Sequence, residues 1–313
     1  MTKVFIDGKE GTTGLRIFDR LSLRSDLELL TLPERERKNP VLRKELLNLC
    51  DVALLCLPED AALEACDMVE NPNVRIIDPS TAHRISEGWV YGLPEAFDGV
   101  LEQLQNAKRV AVPGCHASGF LALTAPLLQA CILKPDALIS CTSLTGYSGG
   151  GHKMIAQYDS DYRDVLLKSP RLYALGQQHK HLKEMQHYSG LAAAPAFFPV
   201  VADYFNGMLT ILSVFREQLA GGFGPEDIRE LYRARYTGPM VRYCEQMDEH
   251  GFLASGKLKD LDGMDISVSG NEDRITLLAR FDNLGKGASG AAIQLMNILI
   301  GAGPYAGLNL GGQ

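Results

Sequence analysis

A chain of 313 residues, 46% hydrophobic and 22% charged, has an ordinary globular composition and is long enough for two domains. A formal net charge of -7 gives no broad basic surface for nucleic acid or anionic membrane, which points to a small-molecule partner. No stretch reaches the roughly 18 consecutive apolar residues of a membrane span, and the opening MTKVFIDGKEG lacks a basic-then-apolar leader, so the expected location is the cytoplasm.

From the N-terminus, VFID (Val4 to Asp7) reads as a strand, GKEGTTG as a glycine turn and LRIFDRL, with Leu15, Phe18 and Leu21 at helical spacing, as a helix. The rhythm repeats: strand Leu27 to Leu32, helical LRKELLNL, strand Asp51 to Pro58, a helix from Glu59, then strands Val74 to Asp78 and Arg109 to Pro113. Short, nearly all-apolar strands between helices are what a parallel sheet covered on both faces requires. This half is expected to be a doubly wound α/β dinucleotide-binding domain.

After the helix beyond Cys115 the spacing becomes irregular. Ala137 to Gly146, FFPVV, Gly207 to Arg216 and Asp273 to Phe281 read as strands of a mixed or antiparallel sheet in an α+β domain. The last apolar segment, Ala291 to Ile300, reads as a helix returning to the first domain. The expected division is therefore residues 1–115, completed by a C-terminal helical segment 285–313, for the dinucleotide, and 116–284 for substrate and catalysis.

Gly8, Gly11 and Gly14 form GxxGxxG between the first strand and the first helix, with Thr12 and Thr13 in the same loop. Glycines there permit a tight turn and close approach of a pyrophosphate to the free amides of a helix N-terminus. A plain helix-packing turn would also use them, but the strand-turn-helix context favours dinucleotide binding. The second strand ends at Leu32-Pro33-Glu34 and is followed by Arg35, Arg37 and Lys38. Cations there suit the 2′-phosphate of NADP, whereas an acidic residue such as Glu34 would suit NAD. NADP is the expected cofactor.

The seven cysteines form no CxxC pair and read mostly as reduced thiols, Cys56 and Cys141 lying inside apolar runs. Cys115 differs. In VPGCHASGFLAL a strand ends at Pro113, Gly114 allows a turn, and Cys115 opens a helix, where the macrodipole and free N–H groups favour a thiolate and could hold an oxyanion. A thiolate nucleophile needs an acid/base partner. Among seven histidines, His179 and His181 stand together in ALGQQHKHLKEMQHYSG, where Glu184 could orient an imidazole; no third ligand follows at zinc spacing, so no metal is expected.

GKEGTTG, LPERERK, CLPEDAA, IIDPSTAHR, WVYGLPE, VPGCHASGF, GYSGGG, ALGQQHKH, HYSGL and DNLGKGASGAAIQLMN, in this order over nearly the whole chain, resemble the shorter form of the N-acetyl-γ-glutamyl-phosphate reductase family. His116, Ala117 and Ser118 depart from the family's usual PGCYPT. The resemblance implies NADPH-dependent reduction of an acyl phosphate through a Cys115 thioester, with His179 or His181 as acid/base and His179 slightly favoured. It implies cofactor contacts from Cys56, Leu57 and Pro58 and from Asn283, Gly285 and Lys286. Substrate contacts would come from Ser80, Thr81 and Arg84, from Ser148, Gly149 and Gly150, and from Glu184. It also implies a homo-oligomer, dimer or tetramer. Competing readings are another acyl-phosphate reductase of the same fold, of the aspartate-semialdehyde or aminoadipate-semialdehyde dehydrogenase type, and a non-catalytic NADP sensor, which would be expected to have lost Cys115 or the histidine pair.

Overall fold

The computed structural model describes residues 1–311. The chain forms two compact units, one of Met1–Pro94, Asp98–Gly114 and Ala288–Leu308, the other of Glu95–Phe97, Cys115–Gly287 and the residues from Asn309. In chain order the first unit holds β1 (Thr2–Asp7), α1 (Thr12–Leu21), β2 (Leu27–Leu30), α2 (Pro40–Leu49), β3 (Val52–Leu55), α3 (Glu59–Asp67), β4 (Arg75–Asp78), β5 (Val90–Tyr91), α4 (Val100–Asn106) and β6 (Arg109–Ala111). The second holds α5 (Cys115–Gln129), β7 (Ser140–Gly146), α6 (Gly151–Tyr158), β8 (Arg171–Leu172), α7 (Leu182–Ser189), β9 (Ala196–Ala202), β10 (Met208–Phe215), α8 (Pro225–Arg235), β11 (Val241–Tyr243), β12 (Met264–Gly270) and β13 (Arg274–Phe281). Helix α9 (Gly290–Ile300) belongs to the first unit.

Among the described residues the first sheet is six-stranded, in the order β2-β1-β3-β4-β6-β5, and every pair is parallel. Alternation along β1 divides its side chains between two cores. Val4 and Ile6 pack with Ile17 and Leu21 of α1, Leu104 of α4 and Ile293 and Met296 of α9, whereas Phe5 packs with Leu47 of α2 and Ala62 and Ala65 of α3. Each large apolar side chain so buried contributes roughly 1.5–3 kcal/mol. The unit is thus doubly wound, and the strand order reverses between β1 and β3, the place where open α/β sheets bind ligands at their carboxyl ends.

The second sheet is seven-stranded and mixed, in the order β11-β12-β13-β10-β7-β9-β8, with β11–β12 and β7–β9 parallel and the other neighbours antiparallel. Helix α5 lies on β10 and β13: a Cβ on Gly119 would come 2.5 Å from Thr210 Oγ1 and 2.9 Å from the Phe281 ring. Pro126 inside α5 has no N–H for the carbonyl of Ala122 one turn back. The hydroxyl of Tyr236, just after α8, donates to that carbonyl at 2.5 Å, and Tyr232 donates to Leu123.

The C-terminal segment differs from the sequence expectation. The α-helix runs over Gly290–Ile300 only, the stretch Gly285–Ser289 is a single wider π-turn, and the first unit resumes at Ala288. From Asn309 the chain is part of the second unit, where the Asn309 N–H donates to Asp262 at 2.7 Å. Strands β5, β8, β11 and β12 go beyond the sequence expectation; the longest, MDISVSG, alternates apolar and polar residues and is paired along its length with β13.

Candidate active site

The glycine loop is built by close approach. Gly8 has φ of +84°, and a Cβ there would lie 2.4 Å from the carbonyl oxygen of Cys56. A Cβ on Gly14 would lie 2.5 Å from the Gly8 oxygen, so both positions exclude any side chain. Gly11 caps α1 in extended conformation. The turn after β3, Cys56 to Pro58, is therefore packed against the glycine loop at the strand-order reversal. Cys56 is held there by its N–H donating to the Asp7 carbonyl at 2.8 Å, and burial pushes its thiol up to about 12. Beneath the loop Arg43 of α2 donates to the Asp7 carboxylate at 3.1 and 3.0 Å and to Glu64 of α3 at 3.2 Å, bracing the end of β1. Burial raises the Asp7 carboxyl even against the Arg43 hydrogen bonds and charge.

Thr12, at the first turn of α1, has a buried hydroxyl with no hydrogen-bond partner in the protein. A buried hydroxyl is normally satisfied. An orphan hydroxyl beside a side-chain-free cradle and the free amides of α1 fits a bound phosphate of a dinucleotide. Thr13 follows it in α1. Arg35, Arg37 and Lys38 are exposed around the turn Glu34–Glu36, with Arg37 4.0 Å from Glu34.

After β4, internal bonds occupy the residues expected to meet substrate. Ser80 donates to Asp78 at 2.8 Å and Thr81 to Glu59 at 2.5 Å. Arg84 is buried, donating to the carbonyls of Val112 at 3.1 Å and Pro79 at 3.0 Å. His83 of the same segment is buried too. Its Nδ1 lies 2.6 Å from Asp78 and its ring stacks on Trp89 at 3.9 Å.

In the second unit Cys115 is the first residue of α5, as the PGC turn predicts. Its neighbour Gly287 must be glycine, since a Cβ there would fall 2.8 Å from the Cys115 Cβ. His116 joins the two expected histidines in one cluster, with ring centroids 5.4 Å from His179 and 5.5 Å from His181; those two lie 4.7 Å apart. Phe197 packs on His116 and His179 at 5.2 Å each, drying the cluster. The backbone N–H of His181 donates to Nδ1 of His179 at 3.2 Å, so that nitrogen is unprotonated and the proton of a neutral His179 sits on Nε2. His181 is buried just before α7, and Glu184, in the first turn of α7, is buried too.

The loop carrying His179 is held under strain. Ala174 and Gln177 have φ of 54° and 53°, each costing roughly 1–2 kcal/mol. The Gln177 amide offsets this by bonding both backbone groups of Phe197 at 2.8 Å. His116 bonds through Nδ1 to Ser143 and through Nε2 to Tyr173, both at 2.8 Å; burial, then the His179 and Lys180 charges, lowers its pKa to about 3. Burial followed by the Cys115 charge raises the Tyr173 hydroxyl far above its ordinary value. Sequence reasoning missed Ser143, Tyr173 and Gly287. Only the last lay in a motif with a visible glycine pattern.

Ser148 is buried behind β7, accepting from Asn283 at 2.9 Å, while Gly149 and Gly150 are exposed. Asn283 also accepts from the Gly207 N–H at 2.9 Å, so both its side-chain ends serve the second unit. Gly285 leaves room for the Leu261 carbonyl, 2.1 Å from where its Cβ would be. Lys286 is fully buried with its ammonium 2.8 Å from both oxygens of Glu95, an ion pair rather than an open cation. Among the described residues no group of three His, Cys, Asp or Glu could hold a metal ion, and no helix is long and apolar enough to cross a membrane.

Residues 33–104 match the family description "Semialdehyde dehydrogenase, NAD binding domain", and residues 115–283 match "Semialdehyde dehydrogenase, dimerisation domain". An N-acetyl-gamma-glutamyl-phosphate reductase of Rhizobium meliloti (strain 1021) is 42% identical over 307 residues, covering 96% of this chain and 99% of the relative. One of Brucella ovis is 41% identical over 306 residues with the same coverage. Among solved structures, aspartate semialdehyde dehydrogenase II of Vibrio cholerae complexed with ASA superposes with a TM-score of 0.71 at 16% identity, covering 96% of this chain and 98% of that one. The Candida albicans aspartate semialdehyde dehydrogenase with NADP gives 0.67 at 16% identity, over 95% and 98%. At such identities these two share the fold, and the closer sequence relationship decides the family. With a cysteine-bearing helix start, a histidine cluster and a glycine cradle on this two-unit fold, the chain belongs to the N-acetyl-gamma-glutamyl-phosphate reductase family.

Proposed function

We propose that this chain reduces N-acetyl-γ-glutamyl phosphate with NADPH to N-acetylglutamate 5-semialdehyde and phosphate, a step of arginine biosynthesis. The observation that carries the reading is Cys115 at the start of α5, with His116 beside it gathering His179 and His181. Gly8, Gly11, Thr12, Thr13 and Gly14 would hold the pyrophosphate, the Cys56 to Pro58 turn would close the cradle, and Arg35, Arg37 and Lys38 would meet the 2′-phosphate. The cofactor supplies the hydride.

The protein's own chemistry is covalent. His181 takes the Cys115 proton, and the thiolate attacks the acyl-phosphate carbonyl; the carbon–oxygen bond to phosphate breaks, phosphate leaves and a thioester remains. His179 holds its proton on Nε2 and so acts as donor to the oxyanion that develops on the thioester carbonyl during reduction. This division of labour reverses the slight sequence preference for His179 as base, because a base at His179 would need an Nδ1–H facing the backbone N–H of His181. Collapse of the thiohemiacetal expels the Cys115 thiolate and releases the aldehyde. Arg84, Ser148, Gly149, Gly150 and Glu184 remain candidate substrate contacts.

The chain is assigned to a homo-oligomer on two grounds: the dimerisation-domain match over residues 115–283, and an open sheet face on which Thr142, Leu144, Phe198, Ile211 and Phe215 are exposed or half-buried. The cytoplasm is assigned because seven free thiols and a reducing cofactor belong together. The test of the activity is phosphate-dependent, NADP-linked oxidation of N-acetylglutamate semialdehyde, with aspartate semialdehyde as competitor. The expected result is preference for the acetylated substrate and essentially complete loss in Cys115→Ser. Preference for aspartate semialdehyde overturns the substrate, and a fully active serine variant overturns the thioester.

A further inference from the structure

Four buried or half-buried side chains form a continuous hydrogen-bonded chain through the histidine that follows Cys115. Thr210 on β10 and Ser143 on β7 are direct register partners, their hydroxyls 3.3 Å apart. Ser143 Oγ lies 2.8 Å from His116 Nδ1, and His116 Nε2 lies 2.8 Å from the Tyr173 hydroxyl. Either end could in principle supply the protons, and hydrogen-bond satisfaction decides between the two directions.

If Tyr173 donates to His116, the imidazole proton sits on Nδ1 and goes to Ser143, and Ser143 donates to Thr210. The Thr210 hydroxyl, which is fully buried and bonded to Ser143 alone, then has a proton with nowhere to go. Leaving such a donor unpaired costs about 1–3 kcal/mol. In the opposite direction Thr210 donates to Ser143, Ser143 to Nδ1, and Nε2–H to the Tyr173 oxygen. Every buried donor is then used, and the Tyr173 proton is left to point away from His116.

We propose that Thr210, Ser143, His116 and Tyr173 are a one-directional relay, and that its last member, the Tyr173 O–H, donates to the Cys115 thiolate. His116 is then a positioning residue that stays uncharged, and Tyr173 a catalytic one. Burial, with the Cys115 charge added, holds the Tyr173 hydroxyl protonated, and burial lowers His116, which agrees with a relay that needs Tyr173 protonated and His116 unprotonated throughout the working range. The relay runs through His116, whose neutral imidazole offers an acceptor to Ser143 and a donor to Tyr173 at once. The other ionisable groups facing it are His179, His181 and Lys180.

The inference rests on Cys115 as nucleophile, and its test is separate from turnover. In the native protein, ¹⁵N-histidine NMR should show His116 as the Nε2–H tautomer, unchanged from pH 8 to pH 5. The pH profile of iodoacetamide alkylation at Cys115, followed by mass spectrometry, should move up by about one unit in Tyr173→Phe, the size of a charge-assisted hydrogen bond lost. It should move as far in His116→Phe, and no further in the double variant. An Nδ1–H tautomer for His116, or an unmoved alkylation profile in Tyr173→Phe, overturns the relay. Full activity in Cys115→Ser would instead remove the nucleophile on which it rests.

Discussion

The glycine cradle and the histidine cluster are built in opposite ways. The cradle joins Gly8 to Gly14 with one second turn, Cys56 to Pro58, and its essential feature is the absence of side chains: Gly8 and Gly14 admit main-chain atoms within 2.5 Å of where a Cβ would stand. The cluster draws on residues 115, 116, 143, 173, 179, 181 and 210, and its essential feature is which polar atom faces which. A local motif of small residues is written in consecutive letters. A network of directed hydrogen bonds depends on strand register and loop strain, and is not.

The sharpest way to break the comparison is at the two histidines. His181→Asn should lower the chemical step by roughly 10²- to 10⁴-fold while leaving NADPH binding intact. His179→Asn should leave thiol alkylation at Cys115 near normal but slow hydride transfer. If both variants turn over at the wild-type rate, the cluster is structural and the base lies elsewhere.

Next in size is the cradle. Gly8→Ala combines a φ of +84° with a collision against the Cys56 carbonyl, and neither can relax without moving β3 or its turn. NADPH affinity should fall by roughly 100-fold or more, about 3 kcal/mol, with Cys115 alkylation unchanged. Titration showing wild-type affinity in Gly8→Ala would end the dinucleotide assignment of this loop.

A stability measurement sharpens the contrast on the second unit's side. Tyr236→Phe removes the hydroxyl that serves the Ala122 carbonyl, which Pro126 leaves without its helical donor. Urea unfolding should show a loss of about 1–3 kcal/mol, the cost of a buried acceptor left unpaired. A loss below about half a kcal/mol would mean that the carbonyl finds another donor.

The smallest expected effect is at the exposed cations. Arg35→Ala with Arg37→Ala should weaken NADPH by about tenfold or less, more at low ionic strength, and leave NADH unchanged, because solvent screens exposed charges. Equal affinity for both cofactors in the parent and the double variant would remove the 2′-phosphate from this turn.

Much of this was legible beforehand for identifiable reasons. The parallel sheet shows in the sequence because β1 and β3 are apolar on both faces, and α5 because a PGC turn opens a long apolar run. Arg84, Asn283 and Lys286 were legible as residues but not as roles. Each bonds inside the protein, Arg84 to two main-chain carbonyls and Lys286 to Glu95, and no spacing rule announces such partners. Strand β12 escaped although MDISVSG alternates apolar and polar residues, because the alternation is short and closely follows the polar, glycine-containing stretch LKDLDG; pairing along its length with β13 fixes it as a strand.

By itself the sequence determined the two-domain plan, the glycine cradle, the cysteine at a helix start and the paired histidines, since each depends on neighbours within one turn of chain. Tertiary structure alone decided that His116 completes the cluster, that Ser143 and Thr210 stand opposite each other beside it, and that His179 Nδ1 accepts from the backbone N–H of His181. Those outcomes turn on single protons shared between residues up to 67 positions apart, and the direction of a hydrogen bond exists only once donor and acceptor have been brought together.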